Sequence, residues 1–109
     1  MVKMTAFNEQ EIIEKLKNLP NWKYENNGLS RSQTFPAYLD ALEFVYQVGR
    51  EAEKNNHHPD ITMNFKRVTV RYWTHKANGV TDLDFKMAEK VDKIAESTYH
   101  PRQETTAEK

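Results

Sequence analysis

Three of the four histidines fall in one stretch of the sequence, from Glu53 to Asp84, together with carboxylates that could orient them. His57 and His58 are adjacent at the expected end of a helix, and His75 is at the expected end of a strand. Because imidazole has an unperturbed pKa near neutrality, three such side chains brought together would suit proton transfer at cellular pH. On residue types alone, a catalytic cluster and a set of unrelated surface histidines both fit.

The composition indicates a single small domain without a strong charge. Sixteen basic and sixteen acidic residues cancel in a chain of 109 residues, and the sequence pI is about 6.9. This neutrality argues against nucleic acid as a direct partner. The absence of cysteine excludes disulfides, thiol nucleophiles and thiolate metal sites. No apolar run resembles a signal peptide or a membrane span, so we expect a soluble, cytoplasmic protein with no membrane contact.

The hydrophobic pattern predicts the order helix, hairpin, helix, hairpin, helix. Asn8 followed by Glu11 is a capping-box pattern for the first helix. In the segment Asn26-Asn27-Gly28, the Asn-Gly pair favours a tight primed turn. The strand after it, from Leu29 to Phe35, is polar enough to indicate either an edge strand or a shifted register. A central helix is expected from Pro36 to about Asn55.

The second half of the chain continues with a hairpin and a final helix. Alternating apolar residues predict two strands, one around Ile61 and Met63 and the next around Val68 and Val70. We therefore expect an α+β, two-layer domain over residues 1–100, a four-stranded antiparallel sheet with helices on one face in the order α-β-β-α-β-β-α. Residues 101–109 are expected to form a polar, flexible tail, and His100 beside it is not a site candidate.

The central helix carries apolar residues around much of its surface. Leu42, Val45 and Tyr46 are near one face, which we expect to meet the core. Phe44 and Val48 broaden this stripe beyond what one sheet face requires. The extra width fits either a wide core face or a subunit contact.

Four short motifs together resemble the pterin-4a-carbinolamine dehydratase family, and the resemblance covers most of the chain. They are Glu53-x-x-x-His57-His58-Pro59, Phe65-x-x-Val68, Thr74-His75 and Gly79-Val80-Thr81-x-x-Asp84. The resemblance implies dehydration of 4a-hydroxytetrahydrobiopterin to quinonoid dihydropterin in tetrahydrobiopterin recycling, with no metal or cofactor. It also implies a homodimer or homotetramer.

By position, the resemblance implies that His57, His58 and His75 are catalytic. We assign His57 and His75 to the acid-base pair, in either order, and His58 to substrate positioning. Glu53 and Asp84 would be carboxylates near them. Because Glu53 comes one helical turn before His57, it could orient that ring.

Several of the other site candidates have a structural alternative. Asp84 could complete a capping box with Thr81 at the start of the last helix. Trp22 could anchor the core or form a wall against the flat pterin ring. Pro59 is expected to fix the loop that holds the two adjacent histidines. Ile61 replaces the tryptophan of animal members of the family, which leaves the pocket wall undetermined.

Two other functions compete with the dehydratase. A metal could be held by Glu53 and His57 with a further histidine, but adjacent His57 and His58 cannot easily aim at one ion. The second alternative is a noncatalytic protein-binding module, because relatives of this fold serve as a dimerisation cofactor of a homeodomain factor or as an assembly factor. A protein partner from the aromatic amino-acid hydroxylase pathway, or from transcription or assembly, is therefore possible.

Overall fold

The structure, a computed structural model, describes residues 5–98, and its elements follow the predicted order. The helices are α1 (Glu9–Leu16), α2 (Tyr38–Asn55) and α3 (Asp82–Thr98). The strands are β1 (Lys23–Glu25), β2 (Gly28–Thr34), β3 (Asp60–Asn64) and β4 (Arg67–Tyr72), and a short 3-10 helix spans His75–Ala77. The predicted tail, residues 101–109, and His100 lie outside the described residues.

The four strands form one antiparallel sheet in the order β1-β2-β4-β3. Leu29 of β2 and Val68 and Val70 of β4 are buried in the same core as Phe44 of α2 and Val91 of α3. The strand residues between them point away from this core, since successive side chains alternate between the two faces of a sheet. The α+β two-layer fold, with its antiparallel sheet of four strands, is therefore confirmed.

Local signals placed the first helix and the first hairpin nearly correctly. Asn8 accepts a hydrogen bond from the Glu11 amide at 2.9 Å, and its own amide donates to the Glu11 carboxylate at 2.8 Å, so the capping box is confirmed. The hairpin turn consists of Asn26 and Asn27, with φ of 50° and 63°, and is one residue earlier than the predicted Asn-Gly turn. Asparagine enters this left-handed region more easily than most residues.

Strand β2 is an interior strand between β1 and β4, so the edge-strand interpretation was wrong. Its polar Arg31 faces the helices, where Nε lies 3.0 Å from Oδ1 of Asp92 on α3. This contact is an ion pair by distance and not a well-aligned hydrogen bond. The indole N–H of Trp22 donates to the same oxygen at 2.8 Å. Burial lowers the pKa of Arg31 and the charge of Asp92 opposes that shift, so the guanidinium stays charged between sheet and helix.

Helix α2 turns a different face to the core than we expected. Phe44 and Val48 are fully buried, whereas Leu42 is 39% exposed and Tyr46 is 60% exposed. The predicted core face around Leu42 and Tyr46 was wrong, and Phe44 and Val48 belong to the core. Within residues 5–98, no helix combines the length and the apolar character needed to cross a membrane.

We predict that Asp92→Ala lowers the free energy of unfolding by about 3 kcal/mol, because it removes the counterion nearest to Arg31 and leaves the Trp22 indole without its acceptor. The expected loss is at the lower end of the range for breaking a buried ion pair, because the side chains of Arg31 and Asp92 are still 10% and 20% exposed. Urea unfolding measures the change. Glu14→Ala is the control, because its pair with Lys17 is exposed and should contribute less than about 1 kcal/mol. Equal losses in the two variants would contradict the assigned role of Asp92.

Candidate active site

The two adjacent histidines leave the carboxyl end of α2 at a sharp turn. Asn56 has φ 51° and ψ 43°, a left-handed conformation that commonly ends helices. The His57 amide still donates to the carbonyl of Ala52 at 3.1 Å, which holds the turn against the helix. Pro59 follows and leads directly into β3. The backbone therefore holds His57 and His58 at one end of the helix, as predicted for this loop.

The third histidine follows β4 on a loop that is closed by the backbone. The Thr74 amide donates to the carbonyl of Gly79 at 2.9 Å, and the Gly79 amide donates back at 3.3 Å. Asn78 takes a left-handed conformation inside this loop. The side-chain amide of Asn27 donates to the Asn78 carbonyl at 2.9 Å and so ties the loop to the first hairpin. His75 thus has a well-braced backbone.

A cleft of about 540 Å³ brings the three histidines together at this end of the sheet. Its volume is within the range of small-molecule sites. It is lined by Asn55, Asn56, His57, His58, Trp73, Thr74, His75, Lys76 and Leu83. All three histidines therefore line the same cleft.

Asp84 makes the most buried contact of the site. Its side chain is fully buried, and Oδ1 lies 2.6 Å from Nε2 of His57. Oδ2 accepts from the Thr74 hydroxyl and from the Thr81 amide, both at 2.8 Å. A carboxylate accepts hydrogen bonds, so His57 carries its proton on Nε2 and leaves Nδ1 as the basic nitrogen. Asp84 therefore makes the helix-capping contact and also the contact to His57.

The Thr74 and Thr81 hydroxyls extend this network. Their oxygens are 2.9 Å apart, and the amide of Leu83 approaches the Thr81 hydroxyl at 3.3 Å. Since Thr74 gives its one proton to Asp84, it accepts from Thr81. The Thr81 hydroxyl thus donates to the Thr74 hydroxyl, which donates to the Asp84 carboxylate.

Glu53 contacts His58 and not His57, contrary to the predicted pairing. Its Oε2 lies 2.7 Å from Nε2 of His58, and both side chains are exposed, by 79% and 54%. The pairing differs because the helix ends at Asn55, so His57 no longer follows the helical spacing from Glu53. The exposed pair holds His58 more weakly than Asp84 holds His57.

His75 is held by an aromatic ring. Its imidazole stacks on the indole of Trp73, with ring centres 4.0 Å apart and planes inclined by 26°. Among residues 5–98, neither ring nitrogen of His75 has a hydrogen-bond or ion-pair partner. Trp73 was not a predicted site residue, although its place at the strand end, two residues before His75, was an available signal.

Four predicted site residues do not line the cleft: Glu53 and Asp84, which contact its histidines, and Trp22 and Pro59. Trp22 is buried in the core and donates to Asp92, which agrees with its alternative as a core anchor. Pro59 is partly buried and follows His58 in the connection between α2 and β3. Ile61 packs partly buried against the core. Within the described part of the chain, no three histidine or acidic side chains are grouped so as to hold a metal ion.

Tyr72, the last residue of β4, contacts the loop that carries His57. Its hydroxyl donates to the His57 carbonyl at 3.0 Å, and the two rings lie 5.2 Å apart. Burial raises the pKa of Tyr72 well above its usual value, and the negative charges of Asp84 and Glu51 add to the shift. The hydroxyl therefore stays protonated and remains a donor at neutral pH.

Comparison with known proteins identifies the family to which this two-layer α+β fold belongs. Residues 5–94 match the family model described as Pterin 4 alpha carbinolamine dehydratase. A provisionally named pterin-4-alpha-carbinolamine dehydratase of Mycolicibacterium smegmatis is 37% identical over 91 residues, covering 84% of this chain and 97% of the relative. One from Sulfolobus acidocaldarius is 37% identical over 86 residues, covering 79% and 94%. The chain belongs to the pterin-4-alpha-carbinolamine dehydratase family.

Solved structures agree with this assignment. A Brucella melitensis protein described as a transcriptional coactivator/pterin dehydratase aligns with a TM-score of 0.79 at 38% identity, over 84% of this chain and 99% of that one. A pterin dehydratase-like protein identified as a RuBisCO assembly factor in the alpha-carboxysome aligns with a TM-score of 0.57 at 17% identity, over 68% and 86%. The second likeness shows a common fold alone.

We predict that alkaline pH destabilises the protein through Tyr72. Its pKa is higher in the folded state than in the unfolded state, so its contribution is complete below about pH 10 and is lost as pH rises further. The loss approaches about 1.4 kcal/mol per pH unit for one proton. Urea unfolding across this range should show a shallower decline in Tyr72→Phe than in the wild type.

The matched control is Tyr24→Phe, which removes a surface hydroxyl on β1 that donates to Asn27 at 3.3 Å. Its alkaline decline should equal that of the wild type. If Tyr72→Phe also declines as steeply as the wild type, the buried hydroxyl is not the titrating group.

Proposed function

We propose that this protein dehydrates 4a-hydroxytetrahydrobiopterin, a pterin-4a-carbinolamine, to quinonoid dihydropterin and water in the recycling of tetrahydrobiopterin. The observation that carries the proposal is the convergence of His57, His58 and His75 on one cleft. Family membership and the names of the relatives support a dehydratase of this kind.

The reaction needs two proton transfers. The hydroxyl on C4a leaves as water once an acid has protonated it, and a base takes a proton from a ring nitrogen. Both transfers can be made by imidazoles that titrate near neutrality. One protein group must therefore reach the C4a hydroxyl as the acid, and a second must reach the ring N–H as the base.

In this proposal His57 is the base and His75 is the acid. The bond from His57 Nε2 to Asp84 leaves Nδ1 free to accept a proton, and the carboxylate stabilises the imidazolium that forms. His75 has no partner among residues 5–98 on either nitrogen, so one of them can donate to the leaving hydroxyl. His58, oriented by Glu53, positions the substrate.

A noncatalytic protein-binding module is the alternative function. The buried hydrogen-bond network of Asp84 favours the enzyme, because a fully buried carboxylate aimed at His57 is costly and has no use in a binding surface. The coactivator and assembly-factor descriptions belong to structural neighbours.

The decisive experiment measures the dehydration rate of a synthetic 4a-hydroxytetrahydropterin for the wild type, His57→Ala and His75→Ala. We expect a wild-type rate well above the uncatalysed one and a loss of about a hundredfold or more in each variant, as is usual when a general acid or base is removed. His58→Ala should mainly raise KM. A wild-type rate equal to the uncatalysed one would rule out the dehydratase and favour the binding module.

We further propose that the protein is a homo-oligomer, a dimer or a tetramer, that associates through α2. Four apolar side chains of this helix are exposed, and the stacked pair of Tyr38 and Phe65 extends the patch to the β3–β4 turn. Leu39 is 72% exposed and Tyr46 is 60% exposed. Contiguous exposed apolar surface of this kind commonly marks a protein contact.

We predict that Leu39→Glu lowers the mass measured by sedimentation equilibrium, because it places a charge in the α2 patch. Asn18→Glu is the control, since it adds the same charge at an exposed position just after α1 and outside the α2 patch. It should keep the wild-type mass. An unchanged mass for Leu39→Glu would show that another surface carries the subunit contact.

A further inference from the structure

We infer that Trp73 is a positioning residue for His75, holding the imidazole by ring stacking so that both of its nitrogens remain available to the substrate. The inference rests on the proposed function, because an effect of Trp73 on the reaction requires His75 to be catalytic. The restraint of the imidazole is inferred from the stacked geometry alone, in which the ring centres of Trp73 and His75 are 4.0 Å apart.

The three cleft histidines are held in different ways. His57 and His58 each give Nε2 to a carboxylate, so each has one ring nitrogen left. His75 has no such partner among residues 5–98. Without the indole, its exposed side chain would be free to change rotamer, because backbone bracing does not restrict the side-chain torsions. Stacking restrains the ring and consumes neither nitrogen.

Trp73 is itself restrained by Arg71. The guanidinium carbon of Arg71 lies 5.6 Å from the centre of a Trp73 ring, within the range of a cation–π contact. Arg71 in turn contacts the Asp60 carboxylate at 3.4 Å and donates to the Asn26 carbonyl. Gly28 leaves room for it, since a Cβ there would lie 3.0 Å from the guanidinium. The row Arg71, Trp73, His75 therefore links the cleft to the sheet.

Trp73 also lines the cleft, so the competing role for it is a platform for the flat pterin. The indole surface is already engaged by His75 and lies near Arg71, which leaves less of it for a ligand. The two roles make different predictions. A positioning residue acts only through His75, whereas a platform acts on substrate binding whatever stands at position 75.

The test is steady-state kinetics of Trp73→Leu and Trp73→Phe, each alone, with Trp73→Leu also placed in the His75→Ala and His58→Ala backgrounds. We expect Trp73→Leu to lower kcat about threefold to tenfold, the size of effect that aromatic pairs support, with little change in KM. Trp73→Phe should restore most of the rate. Trp73→Leu should have no further effect when His75 is absent, and its full effect when His58 is absent.

Two kinetic outcomes would overturn the inference. One is a rise in KM with kcat unchanged, which would make Trp73 a platform for the substrate. The other is the same loss of rate in the His75→Ala background as in the wild type. Circular dichroism and thermal unfolding of each variant check that the fold is intact.

A second measurement does not depend on activity. The ring protons of His75 lie against the indole and should show an upfield NMR shift that disappears in Trp73→Leu, while the signals of His57 and His58 stay in place. Unmoved His75 signals would overturn the inference. If the wild type proves inactive, the proposed function fails, and the NMR result still decides whether Trp73 holds His75.

Discussion

A single buried carboxylate, Asp84, is the constraint on which the site depends. Burying a negative charge costs several kcal/mol unless its oxygens are satisfied, and here hydrogen-bond partners come from three places. They are His57 after α2, Thr74 after β4 and Thr81 at the start of α3. These three chain segments meet where they do because each supplies a partner for Asp84.

The network also separates the roles of the histidines. His57 has a buried partner and a defined tautomer, whereas His58 has an exposed partner and His75 has a stacked ring. Side chains of one type, close together in one cleft, therefore differ in exposure and in the number of free nitrogens. This asymmetry is what acid-base chemistry on a single substrate requires.

The sequence predicted the order of the elements and the fold class, because these depend on periodicity and on local motifs. Its motifs contained the three histidines that line the cleft, but not Trp73. It could not choose the buried face of α2, since apolar side chains at helical spacing occur on both sides. It misjudged β2 because Arg31 is polar and interior, and its partner Asp92 is far away in the chain. The pairing of Glu53 with His58 depends on the left-handed turn at Asn56, which helical spacing does not anticipate.

The contact between Arg31 and Asp92 has a consequence for how α3 is seated. Asp84 and Asp92 stand on the same helix, about 12 Å apart along its axis. A shift of α3 along the sheet by one turn would take Asp92 away from Arg31 and Asp84 away from His57. Helix α3 is thus fixed at two points, by Asp92 inside the core and by Asp84 beside the cleft. The ion pair in the core therefore helps to hold Asp84 at the height of His57.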